Sequence, residues 1–362
     1  MLDEETRVRV SLSNSDRSFS AAPGRPLLDA ALDAGLNLPH SCQGGSCGAC
    51  RARLLEGEIT YPNGRPLGLS DAETAGGFIL LCQARAASDL RIEAFEWSAP
   101  GSSPIKRLPG RIVRLGRLSH DVLGVFLRLP AAEEFNFQPG QYIDVILPAG
   151  RRRSFSIASP PHDSSLLELH VRRVPGGEFT EALFAGSDAR SEHDGRRERG
   201  MLLSIEGPLG QFVYRPAEAP MLLVGGGTGL APLKSMLRHV IENHLPRRMT
   251  LYWGVRSERD LYAHDELEEL ARRAPALRYE AVLSEAGAAW AGRRGLVHEA
   301  VLQDFESLAA TDIYASGPPA LIAAVREEFT RRGADPERLY SDSFDYASDR
   351  LERQRTTAAS KS

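Results

Sequence analysis

Only four cysteines occur among 362 residues, and all lie in the first quarter of the chain, at positions 42, 47, 50 and 82. The spacing Cys42-x4-Cys47-x2-Cys50 puts three thiols on one short loop, and the fourth follows thirty-one residues later. If the four serve one centre, the loop must curl tightly and the intervening segment must turn back on itself, which confines the N-terminal region to a small closed unit. Gln43-Gly-Gly-Ser-Cys-Gly-Ala-Cys50 permits that curl, because glycines let peptide N–H groups approach the sulfurs where bulkier residues would block them.

The pattern has the ligand spacing of a plant-type [2Fe-2S] cluster, with Cys42, Cys47, Cys50 and Cys82 as the four thiolates. Disulfides, a zinc site and inert core cysteines are the competing readings. Zinc prefers paired short spacings, and disulfides need an oxidising compartment. The opening MLDEETRVRV carries acids where a secretory or transit peptide needs basic and apolar stretches. No apolar run approaches the roughly eighteen residues of a membrane span. A cytoplasmic protein with no membrane partner is expected. A formal net charge of −4 with 25% charged residues offers no basic excess for nucleic acid.

The length exceeds what one hydrophobic core usually serves, so two or three domains are expected. No fixed-period repeat is visible. Ser98-Ala-Pro-Gly-Ser-Ser-Pro104 reads as a linker after a first unit, in which a strand over Val8–Leu12 precedes a helix face of Leu27, Leu28, Ala31 and Leu32 ending at Gly35. From Pro109 to about Tyr214 the pattern is strand-rich, with alternation over Gln141–Leu147 and a second strand over Leu166–Val171, which predicts an antiparallel barrel. The polar run from Ser187 to Gly200 reads as a surface insertion without a core role. After Pro220, short apolar strands at Met221–Val224, Met249–Val255, Tyr279–Leu283 and Asp312–Ala315 alternate with helices, as in a doubly wound parallel sheet. The expected division is 1–98, a linker at 99–108, 109–215, 216–347 and a polar tail at 348–362.

Two further constellations carry chemistry. Arg153-Ser154-Phe155-Ser156, on a predicted strand, offers a cation for a phosphate, an aromatic face and a hydroxyl on alternating sides. The bland alternative is a core Phe beside a solvated Arg. Downstream, His170 and Val171 end a strand and are candidate cofactor contacts, and Gly176 and Gly177 precede a helix start near Thr180, where free N–H groups suit a pyrophosphate. The second constellation, Met221-Leu-Leu-Val-Gly-Gly-Gly-Thr-Gly-Leu-Ala-Pro-Leu233, runs from a strand through a glycine turn into a helix, which implies diphosphate binding by Gly226, Gly227, Thr228 and Gly229. It is not the Gly-x-Gly-x-x-Gly fingerprint, because Pro232 stands where the last glycine belongs. A tight strand-to-helix turn alone normally needs a single glycine.

The first segment resembles plant-type ferredoxins in its cysteine loop, in Pro39-His-Ser41 before it and in Leu81-Cys82-Gln83-Ala84. The rest resembles the ferredoxin-NADP reductase superfamily in Arg-x-Phe-Ser at 153–156, in Glu206-Gly-Pro-Leu-Gly-Gln-Phe212, in the glycine turn with Pro232, in Tyr252-Trp-Gly-Val-Arg256, and in Ser316-Gly317-Pro318. The resemblance implies a multidomain chain: an α+β (β-grasp) ferredoxin domain, an antiparallel β-barrel binding FAD and an α/β domain binding NAD(P). It implies that Arg153 and Thr180 hold the FAD pyrophosphate, Phe155 packs on the flavin and Ser156 lies near its reactive nitrogen. Ser316 stands where most relatives carry Cys beside the nicotinamide, keeping a hydrogen-bonding group but losing the polarisable thiol. Tyr340-Ser-Asp-Ser-Phe344-Asp resembles the family's terminal strand, which makes Phe344 the candidate aromatic over the flavin. Glu285, after the third strand, would repel a 2′-phosphate, so NADH is expected in preference to NADPH.

A nicotinamide delivers two electrons as one hydride, a [2Fe-2S] cluster accepts one, and a flavin converts between the two. The domain order therefore implies an NAD(P)H-dependent reductase feeding a terminal oxygenase or a small ferredoxin, with a deoxysugar (glucoseen) dehydratase as the alternative acceptor. A flavin reductase and a non-catalytic redox sensor are the readings from other classes.

Overall fold

The fold begins with an amphipathic pattern that behaves as expected. The computed structural model describes residues 7–40, 43–45, 48–96, 104–148, 151–163, 166–190 and 200–344. Strand β1 (Val8–Leu12) pairs antiparallel with β2 (Ser18–Ala21), and helix α1 (Leu27–Asp33) buries Leu27, Leu28, Ala30 and Ala31. Gly35 follows with φ +73°, a conformation that terminates the helix at little cost only for glycine. Strands β3 (Arg51–Glu56), β4 (Ile59–Thr60), β5 (Phe78–Leu80), β6 (Arg85–Ala86) and β7 (Leu90–Glu93) complete the unit, with α2 (Asp71–Ala75) started by a Ser70–Glu73 capping box. The main sheet runs β2-β1-β7-β3-β5, with β1 and β7 parallel and the other pairs antiparallel.

The predicted barrel is present. Strands β8 (Lys106–Arg117), β9 (Val122–Arg128), β10 (Tyr142–Ile146), β11 (Arg152–Ser156), β12 (Leu167–Arg172) and β13 (Leu202–Leu209) form a sheet of order β11-β10-β13-β8-β9-β12. An Ile157–Leu169 bridge joins its two edges. The barrel starts at Lys106, which pairs with Gly207, so the linker expected to reach residue 108 is shorter. Helix α3 (Glu178–Arg190) takes in Ser187–Arg190, the start of the expected insertion, while residues 191–199 lie outside the described residues. Gly200 belongs to the barrel, because a Cβ there would stand 1.8 Å from the Ile112 carbonyl oxygen.

The expected in–out alternation of β10 does not appear, because Tyr142, Ile143, Asp144 and Val145 are all buried. Ile143 and Val145 enter the barrel core, whereas Asp144 accepts a 2.6 Å bond from Ser154 Oγ and lies 3.3 Å from the Arg152 guanidinium. The polar side of the strand is thus covered by its own partners.

The parallel sheet also matches expectation. It contains β14 (Met221–Gly226), β15 (Met249–Val255), β16 (Leu277–Leu283), β17 (Arg293–Arg294), β18 (Asp312–Gly317) and β19 (Leu339–Ser343), in the order β17-β16-β15-β14-β18-β19. Helices α4 (Leu230–Glu242), α5 (His264–Arg273), α6 (Val297–Asp304) and α7 (Pro319–Ala324) alternate with the strands. The order reverses beside β14, and in such sheets ligands bind outside the carboxyl ends of the strands at that switch. The chain divides into two compact units, one built on the N-terminal sheet and one holding both the barrel and the parallel sheet. No helix among the described residues is long and apolar enough to cross a membrane.

Candidate functional site

In the N-terminal unit, Cys50 and Cys82 are both buried, at 3% and 4% exposure. They lie at the same end of the β3–β5 pair, where Arg51 faces Leu80 and Leu81 N donates to Cys50 O at 3.1 Å. The strand pairing therefore closes the thirty-one-residue gap between them. Gln43, Gly45 and Gly48 all take positive φ, which gives the loop its curl. A Cβ on Gly45 would meet Gln83 at 2.6 Å, and Gln83 Nε2 donates to Gln43 O at 2.9 Å. Cys42 and Cys47 lie outside the described residues. The buried sulfur pair and the tight glycine loop fit a cluster of soft, thiolate-bound iron.

On the barrel, β11 presents the 153–156 motif. Period two sets Phe155 beside Arg153 on one side and Ser154 and Ser156 on the other. Arg153 Nη1 donates to Arg152 O at 2.7 Å, and Phe155 packs on the barrel core and on Phe179, with ring centroids 5.7 Å apart. Ser156 Oγ is buried and has no hydrogen-bond partner among the described residues. Leaving such a hydroxyl unsatisfied costs roughly 1–3 kcal/mol, and the described residues offer it no polar partner. A flavin ring nitrogen is a fitting one. Gly176 has φ +75° and open space at its Cα, while Thr180 Oγ1 accepts from Val174 N at 3.1 Å and braces the Gly176-Gly177 loop. Thr180 is thus committed to loop shape. His170 and Val171, expected at the cofactor, turn their side chains elsewhere: Val171 into the barrel core, and His170 to Glu168 and Tyr262 at 3.1 and 3.0 Å.

At the parallel sheet, the two glycine-bearing turns meet. A Cβ on Gly229 would stand 2.1 Å from the Ser316 carbonyl oxygen, and one on Gly226 would meet Pro318 at 2.9 Å and Leu321 at 2.8 Å. Close packing against the Ser316 backbone for Gly229, and against the Pro318 and Leu321 side chains for Gly226, therefore accounts for these glycines, and of the three only Gly227 needs its residue type for a positive φ of +56°. Thr228 lies between them in the 3-10 turn Gly227–Gly229. Pro232 sits in the first turn of α4, where its missing N–H has no helical partner to lose. Ser316 Oγ is buried without a hydrogen-bond partner among the described residues, matching Ser156. Arg256 is exposed at the end of β15, with Glu285 N donating to its carbonyl at 2.7 Å. Phe344 is half-buried directly after β19.

Three stretches match family models: a 2Fe-2S iron-sulfur cluster binding domain at residues 10–87, an oxidoreductase FAD-binding domain at 109–214 and an oxidoreductase NAD-binding domain at 223–327. The chain is 35% identical over 345 residues to the aromatic O-demethylase reductase subunit of an Amycolatopsis species, covering 93% of this chain and 99% of that one. It is 34% identical over 337 residues to the CDP-6-deoxy-L-threo-D-glycero-4-hexulose-3-dehydrase reductase of Yersinia pestis, covering 93% and 98%. The crystal structure of an Amycolatopsis cytochrome P450 reductase superposes with a TM-score of 0.72 at 34% identity, over 93% of this chain and 98% of that one. The chain belongs to the ferredoxin-NADP reductase superfamily. The reductase carries its [2Fe-2S], FAD and NAD(P)H domains on one polypeptide and passes electrons in that order reversed, from NAD(P)H through FAD to the cluster.

Several residues of the reductase site gave no separate signal in the sequence. Tyr61 accepts a 3.0 Å bond from Leu80 N; burial raises its phenol pKa, and the neighbouring Cys50 and Cys82 add to that. Trp253 is fully buried and donates from Nε1 to the Gly227 carbonyl at 2.9 Å. Lys234 and Glu168 are a buried ion pair at 3.1 Å, joining α4 to β12. Lys234 falls on an amphipathic helix, where a lysine ordinarily reads as solvated, so only its tertiary partner marks it.

Proposed function

We propose that this reductase draws on NADH in the cytoplasm and hands single electrons from its cluster to a protein acceptor, a terminal oxygenase or its small ferredoxin. The observation that carries the NADH-to-flavin half is the pair of buried, unpartnered hydroxyls, Ser156 on the barrel and Ser316 beside the glycine turn. The acceptor class follows from relatives that align over nearly their whole length, among them the terephthalate 1,2-dioxygenase reductase component 2 of a Comamonas species, 34% identical over 338 residues. The Yersinia pestis relative favours a deoxysugar dehydrase as the second reading.

In this reading residues 1–98 hold the cluster on Cys42, Cys47, Cys50 and Cys82, the barrel to residue 215 holds FAD, 216–347 binds the nucleotide, and 348–362 is a tail. The flavin, when bound, supplies the two-electron to one-electron conversion. Arg153 would neutralise its diphosphate, Phe155 would pack on its ring, Ser156 would hydrogen-bond it, and Thr180 would keep the Gly176-Gly177 loop in shape. Gly226, Gly227, Thr228 and Gly229 with the N-terminus of α4 would seat the nucleotide diphosphate. Ser316, with Gly317 and Pro318, would orient the nicotinamide, and Phe344 would cover the flavin. Glu285 stays exposed at the end of β16, where a carboxylate disfavours a 2′-phosphate. Steady-state kcat/KM with each nucleotide tests the coenzyme: NADH is preferred, Glu285→Arg shifts preference toward NADPH, and an unaltered NADPH preference in the wild type refutes the assignment.

A further inference from the structure

Strand β12 alternates strictly between two tasks. Leu167, Leu169 and Val171 fill the barrel core, while Glu168, His170 and Arg172, at every second position, share the opposite face. Each of these three reaches a different part of the nucleotide-binding half. Glu168 accepts from Lys234 Nζ of α4 through both oxygens, at 3.1 and 3.2 Å, and Lys234 also donates to Glu266 of α5 at 3.0 Å. His170 Nδ1 lies 3.0 Å from the Tyr262 hydroxyl, and Tyr262 packs edge-on against Trp253, with centroids 5.0 Å apart. Arg172 Nε lies 3.2 Å from an Asp121 carboxylate oxygen without a hydrogen bond to it among the described residues, and its Nη1 lies 3.1 Å from the place a Cβ on Gly227 would occupy. Beside these, Ser235 Oγ donates to the Ser159 carbonyl at 2.8 Å.

All three contacts converge on one loop. Lys234 lies in the helix that leaves the glycine turn, Trp253 holds the Gly227 carbonyl, and Arg172 stands directly beside Gly227. An interface selected for adhesion alone is served as well by apolar residues, since desolvation offsets much of what a buried ion pair returns. The hydrogen-bonded Glu168–Lys234 and His170–Tyr262 pairs instead specify one relative placement of the two sides. We propose that the Glu168–His170–Arg172 face of β12 is a docking rail that holds the glycine turn of the nucleotide domain in hydride-transfer register with the flavin barrel. These are positioning residues: they act through Lys234, Tyr262 and Gly227. The inference rests on the NADH-to-flavin reading above.

The test uses the full-length protein with both cofactors, and the cofactor-free protein for shape. Glu168→Gln/Lys234→Met removes both charges together, so no buried charge is stranded. The expected result is a rate of flavin reduction by NADH, followed by stopped-flow absorbance, that falls about 10- to 100-fold. The NADH dissociation constant stays within about threefold, because uniform binding is not what is lost. Small-angle scattering of the cofactor-free variant shows a larger radius of gyration than the wild type. Tyr262→Phe removes one hydroxyl and no packing, and it lowers the reduction rate in the same direction by a smaller factor. It carries the test if the double variant does not fold. Wild-type reduction rates and scattering in folded variants of an NADH-active enzyme overturn the rail alone. A wild type inert to NADH overturns the function beneath it and the rail with it.

Discussion

Gly229 has φ −59°, which suits any residue, yet a methyl group there would stand 2.1 Å from the Ser316 carbonyl oxygen. Space, not conformation, demands the glycine. Gly229→Ala must push β14 and β18 apart and is expected to lower stability by about 1–3 kcal/mol in urea unfolding. Gly186→Ala in α3 serves as the contrast: nothing among the described residues lies within 4 Å of the added methyl, and the change is expected to stabilise by about 0.5–1 kcal/mol. The unpartnered hydroxyls make the opposite kind of residue. Ser156→Ala removes a buried group that has no protein partner, so the apoprotein's stability is unchanged or improves by up to about 1 kcal/mol, while flavin reduction by NADH slows. A matching loss of stability in the apoprotein would show that the hydroxyl already has a structural partner.

At the level of elements, buried charge ties strand β12 to helix α4. Burial alone would raise the Glu168 pKa, but the His170 hydrogen bond and the Lys234 charge outweigh it and pull the carboxyl to about 2 from 4.5. Because the folded value lies below the unfolded one, the stabilisation is complete above pH 4.5 and is lost as the pH falls toward 2. Burial lowers the His170 pKa, which keeps its ring neutral at pH 7, with Nε2–H donating to Glu168 and Nδ1 accepting from Tyr262. Glu168→Gln is therefore expected to flatten the acid limb of stability between pH 4.5 and 2 relative to the wild type, measured by urea unfolding at stepped pH. Parallel limbs contradict the assignment. A second strap joins β18 to the segment before β14: Arg247 pairs with Asp312 in the interior and donates to the Arg215 and Ala219 carbonyls. Asp312→Ala strands that guanidinium and should cost about 3–5 kcal/mol.

For the molecule as a whole, the division of labour among domains sets the outcome of losing one cofactor. Cys50 supplies a buried thiol within the core of the N-terminal unit. Cys50→Ser is expected to abolish NADH-driven reduction of cytochrome c, a protein acceptor, while reduction of ferricyanide at the flavin persists. Retention of both activities would mean that the cluster is not on the route to protein acceptors and would favour the flavin-reductase reading. Loss of both would mean that the thiol supports the whole fold.

The cysteine spacing, the Arg-x-Phe-Ser strand and the glycine turn were readable from residue order because each depends on local geometry: a curled loop, a period-two strand, a strand-to-helix turn. The same holds for β1, β15 and α1, whose hydrophobic periods are set within a few neighbouring residues. Other features are long-range. The alternation at β10 hides a buried Asp144 because its partners, Ser154 and Arg152, lie on the next strand. The reason for Gly226 and Gly229 lies far along the chain, at Ser316 in β18 and at Pro318 and Leu321 just after it. His170 reads as a cofactor neighbour in sequence, and Tyr262 and Glu168 make it a brace. Residue order along the chain specifies which chemistry each segment can offer. Which side chains are spent holding segments together, and which are left unpartnered for a cofactor, depends on contacts that exist only once distant strands have paired.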